Sequence, residues 1–133
     1  VGIRESRRII GAYRLTGEDV LGGARFDDTI GLNCWPVEMH LAGRIEWGFA
    51  RDPDNAFNAL PWRMLLPQGV ANLLVAGRCA SMEHLGQSAA RASGACFVMG
   101  QAAGTAAALR VAGRFSVPAL QAGLKDTGAD LGA

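Results

Sequence analysis

The sequence lacks most of the short motifs that identify an enzyme class on their own. No two of its glycines are separated by a single residue, so it has no GxGxxG turn, and it contains neither a P-loop nor an HExxH helix. No serine lies in a GxSxG elbow. Two histidines are too few for a His-rich metal site. Without a CxxC pair, Cys34, Cys79 and Cys96 predict reduced thiols rather than a disulfide framework or a zinc site.

An excess of charge of either sign is also absent. The 133 residues carry 13 basic and 12 acidic side chains, a balance that creates no field to attract nucleic acid or an anionic membrane. One uncharged run, residues 92–109, is mostly Ala and Gly and includes Ser93, Gln101 and Thr105, so we expect no membrane-spanning helix. No signal peptide is visible. We therefore expect a cytoplasmic protein without nucleic-acid or membrane partners.

Glycine and alanine, by contrast, are abundant, above all between residues 72 and 113. This segment predicts a buried strand over residues 73–76, a polar elbow, and a long helix from Ser88 to Ala112 with Gly113 just past its end. Backbone donors at the start of that helix, near Gly86, could hold a phosphate or an electron-rich carbonyl group. Gly100 and Gly104 form a stripe that predicts close packing of the helix against the strand. Such packing would account for the small residues even without a ligand.

The remaining segments predict a mixed α/β (α+β) fold. Thr16, followed by Glu18 and Asp19, predicts a helix N-cap, and the run from Ser116 to Pro118 opens a last helix. Apolar patterning predicts strands over residues 4–15 (where a short helix is the alternative), 29–41, 45–49 and 60–66. Pro36 within the second of these argues for an edge strand or a bulge.

Three stretches resemble one family of flavoenzymes. In that family a short strand ends in Ala-Gly-Arg and the following helix carries Gly-Gln-Ala-Ala-Gly, as residues 76–78 and 100–104 do here. Residues 2–20 and the Pro-Val-Glu-Met-His run ending at His40 are also similar. The family is that of the FAD-dependent oxidoreductases with a glutathione-reductase-type fold. The resemblance implies a C-terminal fragment of a two-domain FAD-binding fold, with residues 1–64 in the substrate domain and residues 65–133 closing the FAD domain.

The resemblance also implies FAD as the cofactor and hydride transfer between flavin and a small-molecule substrate that the sequence does not identify. It implies that Gly77 and Arg78 meet the cofactor, and that Gly86, Gln87, Ser88 and Ala89 lie beside the flavin pyrimidine. Because the N-terminal βαβ unit that binds the ADP half of FAD is missing, we expect the chain alone to bind FAD weakly or not at all. The missing N-terminal FAD-binding region, or a partner chain that supplies it, is thus an expected partner.

Candidate catalytic residues follow from the same resemblance. His40 and His84 match positions where the family carries histidine, and either could move a proton beside the flavin; a structural role is the alternative for each. Arg4 and Arg91 are the candidates for orienting an anionic substrate, although a solvated face would also explain the arginines near residue 4. For the three tryptophans, core or interface packing is the favoured interpretation over ligand stacking.

A second functional class stays open. A chain without a dinucleotide motif could be a non-catalytic fragment or subunit that acts as an interaction module without flavin. Such a chain would expose apolar surface, and for this reason we expect a homodimer or a larger homo-oligomer.

Overall fold

A computed structural model describes residues 4–132 of the chain. Residues 1–3 and 133, which belong to the predicted segments 1–64 and 65–133, lie outside the described residues, and the division into those two segments stays a prediction. The described part is a mixed α+β structure with short antiparallel sheets, as expected. Its elements are α1 (Gly17–Leu21), β1 (Thr29–Asn33), β2 (Val37–Leu41), β3 (Arg44–Gly48), β4 (Asn58–Pro61), α2 (His84–Ala90), α3 (Ser93–Val111) and α4 (Val117–Asp126).

The helix starts that the sequence predicts from capping residues are confirmed. Thr16 caps α1: its hydroxyl accepts from the Asp19 N–H at 3.1 Å, and the Asp19 carboxylate accepts from the Thr16 N–H at 2.8 Å. Ser116 caps α4 in the same way, accepting from the Ala119 N–H at 3.1 Å, with Pro118 in the first turn. Both starts depend only on residues within three positions of the cap, and such local signals are legible in a sequence.

The predicted strand 29–41 is instead two strands in different sheets. β1 pairs with β4, and β2 pairs with β3 as a hairpin, both antiparallel. Pro36 lies in the link between β1 and β2, where its missing N–H interrupts no ladder. A buried amide pair joins the first sheet, since Asn33 donates to Asn58 at 2.9 Å.

Two other predicted strands do not form. Residues 4–15 run extended but make only isolated bridges, at Gly11 and Leu15. Residues 73–76 are not a strand buried on both faces; they are partly exposed, and Val75 donates a single hydrogen bond to the Leu65 carbonyl at 3.0 Å. A strand needs neighbours that continue its hydrogen-bond ladder, and the described residues supply none beside this run. Residues 62–65, predicted as strand, form a 3₁₀ turn after β4.

The long predicted helix is broken. α2 ends at Ala90 and α3 begins at Ser93, and their axes differ by 92°. Ala92 between them has an extended backbone, with φ −63° and ψ 153°. Tertiary contacts hold both sides of the break: Gly86 packs against the backbone of Leu15, and the Arg91 guanidinium donates to the Glu38 carbonyl at 3.2 Å.

The expected close packing of Gly100 and Gly104 is wrong. Both are exposed, and a Cβ added to either would meet nothing within 4 Å. The face of α3 that enters the core carries Ala95, Met99, Ala102 and Ala106 instead. Close approach occurs elsewhere: a Cβ on Gly31 would lie 2.5 Å from Val98 of α3. The small side chains therefore allow packing on the opposite side of the helix from the one predicted.

One core joins the N-terminal and C-terminal parts of the described chain. It includes Leu15, Ile30 and Leu60 from the first part, and Met99 and Leu124 from the second. Within residues 4–132 no single helix has the length and apolarity to cross a membrane; α2 and α3 together pass that test of length and composition, but as a sharply bent pair.

Candidate functional site

An open cavity of about 500 Å³ lies at the N-terminus of α3. Two predicted catalytic arginines, Arg4 and Arg91, line it together with the predicted cofactor residue Arg78. The other lining residues are Trp35, Glu38 and the first residues of α3 with its N-cap, Ala92, Ser93 and Gly94. The fold thus brings together residues from the N-terminal segment, β2 and the α2–α3 break, which are far apart in the sequence.

Glu38, on β2, connects the side chains around this cavity. Its Oε1 lies 2.6 Å from His40 Nε2 and 3.7 Å from the Arg4 guanidinium. Its Oε2 accepts from the Trp35 indole N–H at 3.1 Å and lies 3.7 Å from the Arg91 guanidinium. Sequence reasoning did not assign Glu38 to the site, although the Pro-Val-Glu-Met-His run that carries the family resemblance contains it.

The ionisation of Glu38 follows from these partners. Burial opposes the charged form, but the hydrogen bonds from His40 and Trp35 and the charge of Arg91 outweigh it, so the pKa of the carboxyl lies below its ordinary value. At neutral pH the site therefore contains an ionised Glu38 between two guanidinium groups. Among the described lining residues it is the only carboxylate.

The two predicted catalytic arginines differ in how exposed their side chains are and in how firmly they are held. The side chain of Arg91 is only 11% exposed and is held by the main chain and the carboxylate of Glu38. Arg4 is half exposed, and its guanidinium contacts His40 Nε2, the nitrogen that also faces Glu38. The Gln87 side-chain amide donates to the Arg4 carbonyl at 2.8 Å, which fixes the backbone of the N-terminal segment beside α2.

His84 is separated from the other predicted catalytic residues. Its ring nitrogen Nδ1 lies 2.7 Å from Glu5 Oε2, and Glu5 also pairs with Arg8. Burial raises the pKa of Glu5, but the hydrogen bonds from Arg8 and His84 prevail and lower it below its usual value. His84 does not line the cavity described above; with Glu5 it ties the N-terminal segment to α2.

The four residues predicted beside the flavin pyrimidine lie inside α2, which begins at His84 with Glu83 as its N-cap. Gly86 is in the first turn of this helix, whereas Ser88 and Ala89 lie beyond it, so the predicted helix start near Ser88 is wrong. The Gln87 N–H is used within the helix, donating to the Glu83 carbonyl at 2.8 Å, and Ser88 Oγ donates to the Leu85 carbonyl at 2.7 Å. Gly86 approaches the Leu15 backbone and Ala89 is fully buried.

Neither α2 nor α3 begins with a side-chain cap, but only the start of α3 borders the cavity. This helix has 19 residues. Gly77 has φ +75°, a conformation that favours glycine, and it begins the short 3₁₀ turn that carries Arg78. Burial raises the pKa of the Cys96 thiol, an effect that the positive charge of Arg78 opposes.

Comparison with known families identifies one matching family. A family model described as FAD dependent oxidoreductase matches residues 1–127. The chain belongs to this family. The match supports a flavin oxidoreductase role in general terms and extends over nearly the whole chain. No curated protein and no solved structure matches the chain significantly.

The residues present fit part of the cofactor of this family. Guanidinium groups and the N–H groups of a helix start bind phosphate and electron-rich carbonyl oxygens, and Arg78 and the uncapped start of α3 line the same cavity. By contrast, no group of three His, Cys, Asp or Glu side chains that could hold a metal ion exists within residues 4–132.

Proposed function

We propose that this chain forms one wall of the active site of an FAD-dependent oxidoreductase that acts on a small anionic molecule. The observation that carries the proposal is the convergence of Arg4, Arg78 and Arg91 on one cavity at the start of α3, with one carboxylate among them. This arrangement leaves a net positive charge at an open cavity. Such a site favours an anionic ligand and electron-rich ring oxygens.

In this proposal the residues divide between cofactor and substrate. Gly77, Arg78 and the first turn of α3 face the flavin, while Arg4 and Arg91 orient the anionic group of the substrate. His40 holds or releases a proton at Nε2, beside Glu38. Flavin, when bound, supplies the two-electron redox chemistry that no side chain of the chain provides.

The residues of α2 and its start have an indirect part. Gln87 and His84 hold the N-terminal segment that carries Arg4, since Gln87 bonds the Arg4 carbonyl and His84 pairs with Glu5. Gly86, Ser88 and Ala89 allow α2 to pack closely under that segment. Direct contact of Gly86, Gln87, Ser88 and Ala89 with FAD remains a prediction. All four residues are buried, which favours the supporting role.

The test compares two arginine substitutions in protein expressed from the complete gene. Arg78→Met should lower the flavin retained through gel filtration, measured as acid-released FAD per protein. Arg114→Met is the matched control, because Arg114 is exposed and does not line the cavity. Equal flavin content in the wild type and Arg78→Met would contradict the assignment of this cavity to FAD.

The exposed face of α3 favours a second candidate, an interaction module that pairs with another copy of the chain. Phe97 is 76% and Val111 92% exposed, and Gly100 and Gly104 between them leave the helix backbone accessible. Large exposed apolar surfaces usually form interfaces. Sedimentation velocity over a wide concentration range tests this candidate: a dimer that Phe97→Ser dissociates supports it, and a monomer throughout contradicts it.

A further inference from the structure

Trp35 is placed differently from the tryptophan of the core. Trp62 is 3% exposed and packs with Phe115, as the favoured interpretation of the sequence requires. Trp35 is 46% exposed, and its side chain lines the arginine cavity. Of the two predicted packing roles, core or interface, the core role therefore does not apply to Trp35, and the interface role stays a prediction. In the described structure Trp35 presents an aromatic wall to a charged cavity.

The position of this wall is fixed by several contacts. The indole N–H donates to Glu38 Oε2 at 3.1 Å. The backbone of Trp35 is held on both sides by Asn33, which donates to the Trp35 carbonyl at 3.0 Å and accepts from its N–H at 3.3 Å. Trp47 packs against the ring edge-on at a centroid distance of 6.2 Å. A ring held in this way loses little freedom when a ligand stacks on it.

The charged groups around Trp35 indicate which chemical group a ligand stacked on this ring would carry. Arg4 and Arg91 lie on either side of Glu38, and the single carboxylate offsets one of their two charges. Arg91 is mostly buried and is anchored to the Glu38 carbonyl, so its guanidinium is preorganised. A carboxylate is the planar anion that an arginine fork binds best through paired hydrogen bonds.

We propose that the substrate side of this cavity takes a carboxylate joined directly to a flat, unsaturated ring, with the carboxylate at Arg4 and Arg91 and the ring against Trp35. Trp35 is then a specificity-determining residue, and Glu38 is a positioning residue that holds the indole and both guanidinium groups. The inference rests on the proposed function only in treating this ligand as the substrate; binding itself requires no flavin.

Four probes separate the contributions of ring and charge. Benzoate carries both features, cyclohexanecarboxylate keeps the charge without a flat ring, acetate keeps the charge alone, and benzyl alcohol keeps the ring alone. Binding to the 133-residue chain is measured by titration, with the indole N–H resonances of its tryptophans as the reporter. We expect benzoate to bind roughly three- to tenfold more tightly than cyclohexanecarboxylate and to shift the Trp35 resonance most.

Trp35→Leu should abolish the preference for benzoate over cyclohexanecarboxylate, and Trp35→Phe should keep part of it. Phe49→Leu is the matched control: Phe49 is 69% exposed and stacks on Trp47 in the same aromatic cluster but does not line the cavity, so the preference should persist. Arg91→Met should weaken benzoate, cyclohexanecarboxylate and acetate together. Melting curves of each variant establish that it is folded before binding is compared.

The inference is overturned by any of three results. These are a benzoate preference that survives Trp35→Leu, an equal preference for benzyl alcohol and benzoate, or no saturable binding of benzoate to the folded wild type. Flavin content is measured separately, in protein expressed from the complete gene. If the protein binds flavin but does not prefer benzoate to cyclohexanecarboxylate, this inference is overturned and the proposed function stands. If it prefers benzoate but binds no flavin, the proposed function is overturned and this inference stands.

Discussion

Alanine at position 104 should stabilise the protein, because Gly104 lies in the middle of α3 on an exposed face. An added methyl group would meet nothing within 4 Å. The substitution then acts mainly by reducing the freedom of the unfolded chain and by raising helix propensity, which together stabilise a mid-helix position by about 0.5–1 kcal/mol. For a chain of this length we expect the melting temperature to rise by about 2–5 °C.

Gly86→Ala is the matched comparison, because it makes the same chemical change in α2. There the added Cβ would lie 2.3 Å from the Leu15 carbonyl oxygen and 2.9 Å from its carbon. Both are backbone atoms, and Leu15 is fully buried, so the two segments would have to separate. Overpacking of this kind costs about 1–3 kcal/mol. The two substitutions should therefore change stability in opposite directions.

The assay is thermal unfolding followed by circular dichroism, repeated at several protein concentrations. Gly104→Ala is compared with the wild type at the lowest concentration, where any association through α3 is weakest. A fall in melting temperature there would refute the reasoning, since it would mean that the face of Gly104 is covered within a single chain. The interpretation from the Gly/Ala stripe alone predicts that fall; the geometry of the fold predicts the rise.

Three further predictions concern the cofactor, the site and the sheet. The 133-residue chain should not retain FAD through gel filtration, because it contains no dinucleotide-binding glycine motif; one equivalent of acid-released flavin would contradict this. Because the pKa of Glu38 is lowered from 4.5, its ionised form stabilises the fold above about pH 4.5, and this contribution is lost as the pH falls through the lower folded value. Glu38→Gln should therefore lower the melting temperature at pH 7 and much less at pH 3, whereas an equal loss at both would contradict the ion-pair account. Asn58→Ala should cost about 1–3 kcal/mol in urea denaturation, because Asn58 is buried and bonds both Asn33 and the Ala59 carbonyl; no change would show that the amide pair contributes nothing.

The sequence by itself determined the family and the elements that depend on neighbouring residues. The caps at Thr16 and Ser116 were predictable, because a helix N-terminus is satisfied by a side chain within three positions. The strand segments around residues 29–33, 37–41 and 44–48 were also visible as apolar runs, although not their division between two sheets. The family resemblance rests on contiguous motifs, and a family model spanning residues 1–127 confirms the FAD-dependent oxidoreductase family, while the glutathione-reductase-type fold stays a prediction.

The tertiary structure alone decided where those elements end and which side chains meet. Nothing in the sequence between Ala90 and Ser93 breaks a helix as proline would, and the bend arises where Arg91 reaches Glu38 and Gly86 packs on Leu15. The same bend places the start of α3 at the cavity that Arg78 also lines. The apolar sequence LLVA does not show whether residues 73–76 have a neighbouring strand to pair with, and among the described residues they have none. Glu38 became part of the site only when Arg4 and Arg91, both distant in sequence, converged on it. Ion pairs depend on distances in space that sequence spacing does not encode.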